Sequence, residues 1–530
     1  MMNQLYFRQI VWFCLLSLFL SNETSAAGER SIQLLVTSDL HGWYSTSTLY
    51  PYRKHNGLAH LENLIRRLKR EHESIVLLDA GDLLQGSPLS FFHHAVSRDF
   101  VDRNLFFKRF NDLGYDAVVV GNHDLALNPA FETHYVPHSS FTWLAANIVR
   151  RDHLPFSPYI TIIQDGVKIA VLGFTTPGIP MWMGPEQLRG IRVNALDRSV
   201  KKWIQRVKAK ENPDLLIGLF HAGLNLFRDD ENSKLNGVPE ANQLRSVLDS
   251  NRDFDLVISG HDHQLYPNRS HRKIPRVAGT PVLRPGSRGE ALFVVELRLT
   301  GGNGGWAVSG IDVNVHRPER NKTLQKAIDQ RLSGAFKNYL NEPLPWVLEK
   351  SYKQELKDCL NLLLSLSSDQ PGLAGTLFPG VSVYRIKRFW GKPLTRAHLF
   401  RWIRYDNRSV SILLSSRDIE LLREPIPPFG HKRIPYNRRL VAWLKQDSPE
   451  SADDGFLRAS HWEKKHLIKL ADYHYWGGGG IISPLFVEDW QTVEISESYM
   501  RDDLFFYLKT HRALPDRCKC LRYQGFEEKN

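Results

Sequence analysis

Five short apolar runs, each ending in a polar cluster, constrain this 530-residue chain more than any other feature. The runs are Gln33-Leu34-Leu35-Val36, Ile75-Val76-Leu77-Leu78, Ala117-Val118-Val119-Val120, Leu215-Leu216-Ile217 and Asp255-Leu256-Val257-Ile258. They lead into Asp39-Leu40-His41, Gly81-Asp82, Gly121-Asn122-His123-Asp124, His221 and Gly260-His261-Asp262-His263. Short β-rich runs that break into polar turns are the pattern of buried parallel strands. Open α/β sheets place their sites just beyond the carboxyl ends of such strands. The pattern therefore predicts a layered α/β domain with its chemistry at the strand ends.

The donor types narrow that chemistry. Carboxylate and amide oxygens mixed with imidazoles, without thiolate, suit divalent metals, and more than one of them. Side chains two apart on an extended backbone project to the same face, so Asp39 and His41 can share one ion. His261 and His263 can likewise reach into one site or go to different ions. Asp82 stands alone after its strand, and its two oxygens can bridge two metals, while Asn122 adds a neutral oxygen. Any one of these histidines taken singly reads as a satisfied structural residue. Five clusters in this order read as a two-metal hydrolase.

At these residues the chain resembles the calcineurin-like metallophosphoesterases, and within them the periplasmic 5′-nucleotidase branch. The matching stretches are Thr37-Ser38-Asp39-Leu40-His41-Gly42, Ala80-Gly81-Asp82, Gly121-Asn122-His123-Asp124, Phe220-His221-Ala222-Gly223 and Gly260-His261-Asp262-His263. The run from Lys168 to Pro177 also looks like that branch, and the resemblance covers about residues 31 to 300. It implies a four-layer α/β/β/α sandwich followed by a smaller α+β C-terminal domain. It implies one metal held by Asp39, His41, Asp82 and His263, and a second held by Asp82, Asn122, His221 and His261. His123 matches the family's catalytic imidazole. The branch commonly places an aspartate three residues later to orient that imidazole, and here the position is Ala126. Asp124 follows His123 directly, at a position that is often acidic in the superfamily without being the orienting partner.

Length beyond one typical core predicts two domains. Residues 1–27 read as a signal peptide: Arg8 precedes an apolar stretch from Ile10 to Leu20, and small and polar residues run through Ala27. That stretch is short for a membrane span, so cleavage near Ala27 and a periplasmic or secreted product are expected, with no transmembrane anchor. Cleavage would leave Cys359, Cys518 and Cys520. Cys359 could bridge to Cys518 or to Cys520, or all three could stay free. The net charge of +12 favours anionic partners but also describes an ordinary solvated basic face. Nothing resembles a basic tail or aromatic-interleaved repeat for stable nucleic-acid binding.

Leu58, Leu61, Ile65 and Leu68 recur at helical spacing, as do Val200, Trp203, Ile204 and Val207, and Phe106, Phe110 and Leu113 suggest a further helix. Residues 28–318 are read as the metal-binding domain, 319–340 as a helical connector, and 341–530 as a divergent 5′-nucleotidase-like substrate domain. Tyr405 and Asn407 match a Phe-x-Asn element whose ring stacks on the base in the resembled branch. Stacking tolerates base identity, so Tyr can replace Phe. Trp476-Gly477-Gly478-Gly479-Gly480 looks like the branch's Gly-rich loop, although Ile481 stands where an aromatic usually follows. Pro379-Gly380-Val381-Ser382 occupies the place of an Asn-Gly-Gly-Ile-Arg element and lacks its arginine.

The expected activity is hydrolysis of a small anionic phosphoester, a nucleotide above all. Two divalent ions (Mn, Zn or Fe) about 3.5–4 Å apart would lower the pKa of a shared water, and the bridging hydroxide would attack phosphorus in line. His123 would stabilise charge growing on the phosphate or donate to the leaving oxygen. Three rivals use the same residues: a cyclic-nucleotide phosphodiesterase/3′-nucleotidase, a thiosulfohydrolase, or a ligand-binding relative without catalysis.

Overall fold

A computed structural model of the chain describes residues 28–45, 57–72, 74–127, 130–183, 188–224, 241–268, 273–302, 305–318, 322–367, 373–379, 386–403, 408–415, 440–444, 465–471 and 491–525. Two sheets lie at the centre of its first half. One has six strands in the order Gly305–His316, Leu292–Gly302, Gly28–Thr37, Ile75–Asp79, Ala117–Val119 and Thr142–Leu144. From Gly28–Thr37 to Thr142–Leu144 the neighbours run parallel, and the two long strands at the other end are antiparallel. The second sheet orders Leu265–Tyr266, Thr280–Pro285, Leu256–Ser259, Leu215–His221, Val167–Thr175 and Tyr159–Gln164, with Arg276–Val277 beside Thr280–Pro285. Its centre is parallel as well.

The period-two alternation of strands explains the layers. Leu34, Val36, Val76 and Leu78 face Ile169, Val171, Ile217 and Ile258 of the other sheet in one dry core. Leu35, Leu77 and Val118 point the other way, onto Leu58, Leu61, Ile65 and Leu68 of the helix Leu58–Glu71 and onto Phe106 and Phe110. On the far side, Ala170, Leu172, Leu216 and Val257 meet Val200, Ile204 and Val207 of the helix Leu196–Glu211, and Leu244 and Val247 of Leu244–Ser250. The result is the α/β/β/α sandwich.

The segment read as a single helical connector is two helices, Lys322–Arg331 and Gly334–Asn341. Ser333 breaks it, because its hydroxyl accepts from Phe336 N at 3.1 Å and caps the second helix. Ile328, Leu332, Phe336 and Leu340 nevertheless bury one continuous face against the first half.

Beyond residue 341 lie a three-stranded sheet (Pro393–Thr395, Pro343–Leu348, Leu521–Tyr523) and a five-stranded one (Leu440–Leu444, Leu373–Pro379, Lys465–Ala471, Arg408–Ser415, Gln491–Tyr499). A core of Leu356, Leu360 and Leu363 from the helix Lys353–Ser367 and Leu504, Phe505 and Leu508 from Met500–Thr510 packs against Leu344, Trp346 and Leu348 of the three-stranded sheet. Of the pairings left open by the sequence, the structure has Cys359–Cys518, with Cys520 free and buried. This part docks on the first through aromatic rings. Phe91 lies 5.3 Å from Phe400 and 4.8 Å from Tyr499.

Candidate metal centre

Every polar cluster singled out in the sequence falls just past a strand end. Asp39 and His41 follow Gly28–Thr37, Asp82 follows Ile75–Asp79, and Asn122 and His123 open the short helix Asn122–Leu125 after Ala117–Val119. His221 closes Leu215–His221, and His261 and His263 follow Leu256–Ser259. Asp39, His41, Asp82 and His263 each place one donor atom within 4.8 Å of the others, and Asp82, His221 and His261 do the same. Asp82 belongs to both groups. Asn122 joins the second through its Oδ1, 3.2 Å from His221 Nε2.

The local geometry differs from the extended i, i+2 arrangement expected for Asp39/His41 and His261/His263. All four, and Asp82, have positive φ, between 50° and 75°. Each pair is gathered by a left-handed turn, not by the pleat of a strand. Such conformations cost about 1–3 kcal/mol for a residue with a side chain and cluster where function holds them. The second-row contacts show what holds them. Asp39 N donates to Gly81 O (2.9 Å) and His41 N to Asp82 O (2.8 Å), lacing the first turn to the second. His261 N donates to the Asp39 carboxylate at 3.2 Å to each oxygen. Gly260 is required at its position, since a Cβ there would press on Ser38 Oγ, Ala80 O and Asp39 Oδ2.

The imidazole tautomers test whether a cation fits. His41 Nδ1 donates to Gln85 O at 2.7 Å, so its Nε2 presents a lone pair. That Nε2 lies 2.9 Å from His263 Nε2 and 3.8 Å from Asp82 Oδ2. His221 Nδ1 donates to Ala80 O at 2.8 Å, and its Nε2 faces Asp82 Oδ2 and Asn122 Oδ1, each at 3.2 Å. Acceptors aimed at acceptors in a buried place demand a proton or a metal ion between them. A ligating histidine ordinarily gives its other N–H to a carbonyl in this way. The residues fit a divalent pair.

Electrostatics carry the same demand. Burial disfavours the His221 imidazolium, yet the Asp82 carboxylate outweighs it and lifts the pKa to about 10. Burial likewise raises the Asp82 carboxyl, and His221 and His123 overcome it and hold it well below the carboxylate range. His261, desolvated and beside His221, is pushed down to about 3, and His41 falls too, chiefly through burial. The cluster thus holds carboxylates that remain charged beside two imidazoles, His41 and His261, that resist protonation and one, His221, that carries a positive charge against Asp82.

Two acidic residues near the cluster serve the backbone instead. Asp124 is fully buried, and its carboxylate accepts Leu84 N at 2.9 Å and Gly121 N at 3.0 Å, tying the Asp82 turn to the Asn122 turn. Burial, then the Asp82 charge, pushes its pKa up to about 7. Asp262 pairs with Arg284 at 3.1 Å and lies outside both donor groups.

His123 stands at the edge of the cluster, its ring 5.0 Å from that of His41. Its main-chain N donates to Asp82 Oδ1 at 2.8 Å, and its Nδ1 faces Gln85 Oε1 at 3.0 Å. Sequence reasoning missed Gln85, because nothing in its spacing from Asp82 marks it as a partner of a residue 38 positions on. It also missed Trp182, whose ring lies 5.3 Å from His261. Tyr405, Asn407, residues 380–382 and residues 475–481 lie outside the described residues, as do residues 1–27.

Fold and site together define a calcineurin-like phosphoesterase domain, and residues 32–265 match that family. The chain carries this domain. It is 26% identical over 385 residues to the 2′,3′-cyclic-nucleotide 2′-phosphodiesterase/3′-nucleotidase of Haemophilus influenzae, covering 66% of this chain and 57% of that protein. It is 30% identical over 241 residues to the 5′-nucleotidase of Vibrio cholerae, covering 44% of this chain and 40% of that one. The chain thus spans about half the length, or less, of these curated relatives. Its fold is similar to that of the 5′-nucleotidase precursor from Thermus thermophilus, with a TM-score of 0.60 at 16% identity, over 91% of this chain and 96% of that one.

Proposed function

We propose that this chain is an exported, metal-dependent hydrolase of phosphoester bonds in nucleotides, 5′-nucleotidase-like in type. The observation that supports it most is the convergence of imidazole nitrogens on Asp82, with His221 Nε2 at 3.2 Å and His41 Nε2 at 3.8 Å. Asp39, His41, Asp82 and His263 would hold one ion, and Asp82, Asn122, His221 and His261 the other. When bound, such a pair lowers the pKa of a shared water and neutralises charge on the phosphoryl oxygens. Carboxylate, amide and imidazole donors without thiolate suit Mn, Zn or Fe.

The chain's own residues do the rest. Ala80 O and Gln85 O fix the rings of His221 and His41 by accepting their Nδ1 protons. Asp82 Oδ1 is aligned by His123 N, which leaves Oδ2 turned toward the histidines. His123 is not a member of either donor group, and its imidazole would donate a proton to the leaving oxygen. Residues 28–318 would carry the reacting groups, and residues 341–530 would hold the leaving nucleoside through Tyr405 and Asn407. The apolar stretch Ile10–Leu20 behind Arg8 supports export, and among the described residues no helix is long and apolar enough to cross a membrane.

A second reading, 3′-nucleotidase and cyclic-nucleotide phosphodiesterase, is favoured by the Haemophilus influenzae relative, which covers more of this chain than the Vibrio cholerae one does. One experiment separates them. Protein reconstituted with Mn²⁺ or Zn²⁺ is offered 5′-AMP, 3′-AMP and 2′,3′-cyclic AMP, with bis-nitrophenyl phosphate as a generic diester. Preference for 5′-AMP supports the first reading and preference for the other two the second. Turnover of none of the four by metal-loaded protein rejects both.

A further inference from the structure

His123 has no acidic residue one helical turn on, where Ala126 stands, and the Asp124 carboxylate is occupied with the amides of Leu84 and Gly121. The group that meets its Nδ1 comes from another turn. Gln85 Oε1 lies 3.0 Å away, and an amide oxygen can only accept. We propose that Gln85 is the positioning residue of His123, fixing its Nδ1–H tautomer with a neutral amide so that Nε2 is the atom through which His123 acts. This rests on the phosphoester-hydrolase reading above.

The loop that carries Gln85 is held for the task. Its main-chain oxygen accepts from His41 Nδ1 at 2.7 Å, so one residue orients a ligand candidate with its backbone and the catalytic imidazole with its side chain. Leu84, just before it, is tied through Asp124 to the turn on which His123 sits. Gly86, just after it, has φ 136°, and a Cβ there would lie 3.0 Å from the His41 ring. Ser87 then donates to Gly42 O at 2.7 Å, and its oxygen accepts from Ser90 N at 3.0 Å. Both flanks of Gln85 are therefore anchored, and its half-buried side chain has a defined reach. A partner in this position keeps the imidazole from rotating without adding a second negative charge beside Asp82.

The test uses the full chain and two readouts. In ¹⁵N-histidine NMR of metal-free protein, His123 should show Nδ1–H in the wild type and in Gln85→Glu, and should lose that tautomer in Gln85→Leu. With metal restored, Gln85→Leu should lower kcat on an alkyl or ribosyl phosphate by roughly 10–100-fold, the range typical of lost outer partners. KM should change less than about twofold, and the effect on a nitrophenyl ester, which scarcely needs a proton donor, should be smaller. Gln85→Glu should recover most of the loss, and metal content should be unchanged in both variants. An unaltered His123 tautomer in Gln85→Leu overturns the proposal. Loss of metal from that variant also overturns it, by making Gln85 a support of His41 alone. A wild type without any hydrolytic activity, but with the tautomer shift intact, would reject the functional reading and leave the Gln85–His123 pairing standing.

Discussion

The guanidinium carbon of Arg501 lies 5.2 Å from the centre of the Phe91 ring, joining the helix Met500–Thr510 to the short helix Pro88–Phe91 that follows the Gln85 loop. The same group stacks 3.8 Å from Phe400 and donates through Nη2 to Ile403 O at 3.0 Å, with the side chain almost fully buried. The C-terminal part is thus fastened six residues from Gln85, on the segment that leaves the metal centre.

Arg501→Leu should therefore destabilise the chain. A charge-assisted hydrogen bond contributes about 1.5–3 kcal/mol and a desolvated cation–π contact up to about 2. Leucine restores part of the packing, so a net loss of about 1–3 kcal/mol in urea unfolding is expected. An unchanged midpoint would mean that the ring contacts contribute nothing to docking.

Asp82→Asn should abolish hydrolysis and reduce bound metal, since its carboxylate is shared by both donor groups. The fold should persist, because the dry core between the sheets does not include this side chain. Elemental analysis beside a circular dichroism spectrum checks both halves. Two ions per chain in the variant would show that the bridge lies elsewhere.

His123→Ala should lower turnover by about 10²–10⁴-fold and keep its metal, as His123 contributes no atom to either donor group. A variant depleted of metal would place His123 among the ligands.

Replacing Cys359 and Cys518 together by alanine opens a loop closed across a sequence separation of 159 residues. By loop entropy this should cost about 2–5 kcal/mol, read as a lower thermal midpoint without a change in metal content. Thiol titration of wild-type chain beginning at residue 28 should find one reactive group, Cys520, and only after unfolding, because it is buried. Three thiols under non-reducing conditions would contradict the pairing.

Tyr405→Ala should raise KM for nucleotides by an amount equivalent to about 1–3 kcal/mol and leave a nitrophenyl ester almost untouched. Equal effects on the two substrates would assign Tyr405 to packing.

The sequence by itself determined the layered fold and the identity of the clustered donors. Apolar runs such as Ile75-Val76-Leu77-Leu78 alternate faces whatever surrounds them, and their polar endings must gather where parallel strands stop. The same local patterning revealed the helices Leu58–Glu71 and Leu196–Glu211. Only the tertiary structure decided how the donors converge and what steadies them. The left-handed residues Asp39 and His41 are held by carbonyls of the Gly81-Asp82 turn, and His261 by the Asp39 carboxylate, which no local spacing encodes. Gln85 reaches His123 across 38 residues, Asp124 holds two backbone amides where a catalytic partner would be sought, and Cys359 chooses Cys518 over its near neighbour Cys520. Each depends on segments distant in the chain that only tertiary packing brings within hydrogen-bonding or covalent reach, whereas hydrophobic period is a property of the chain before it folds.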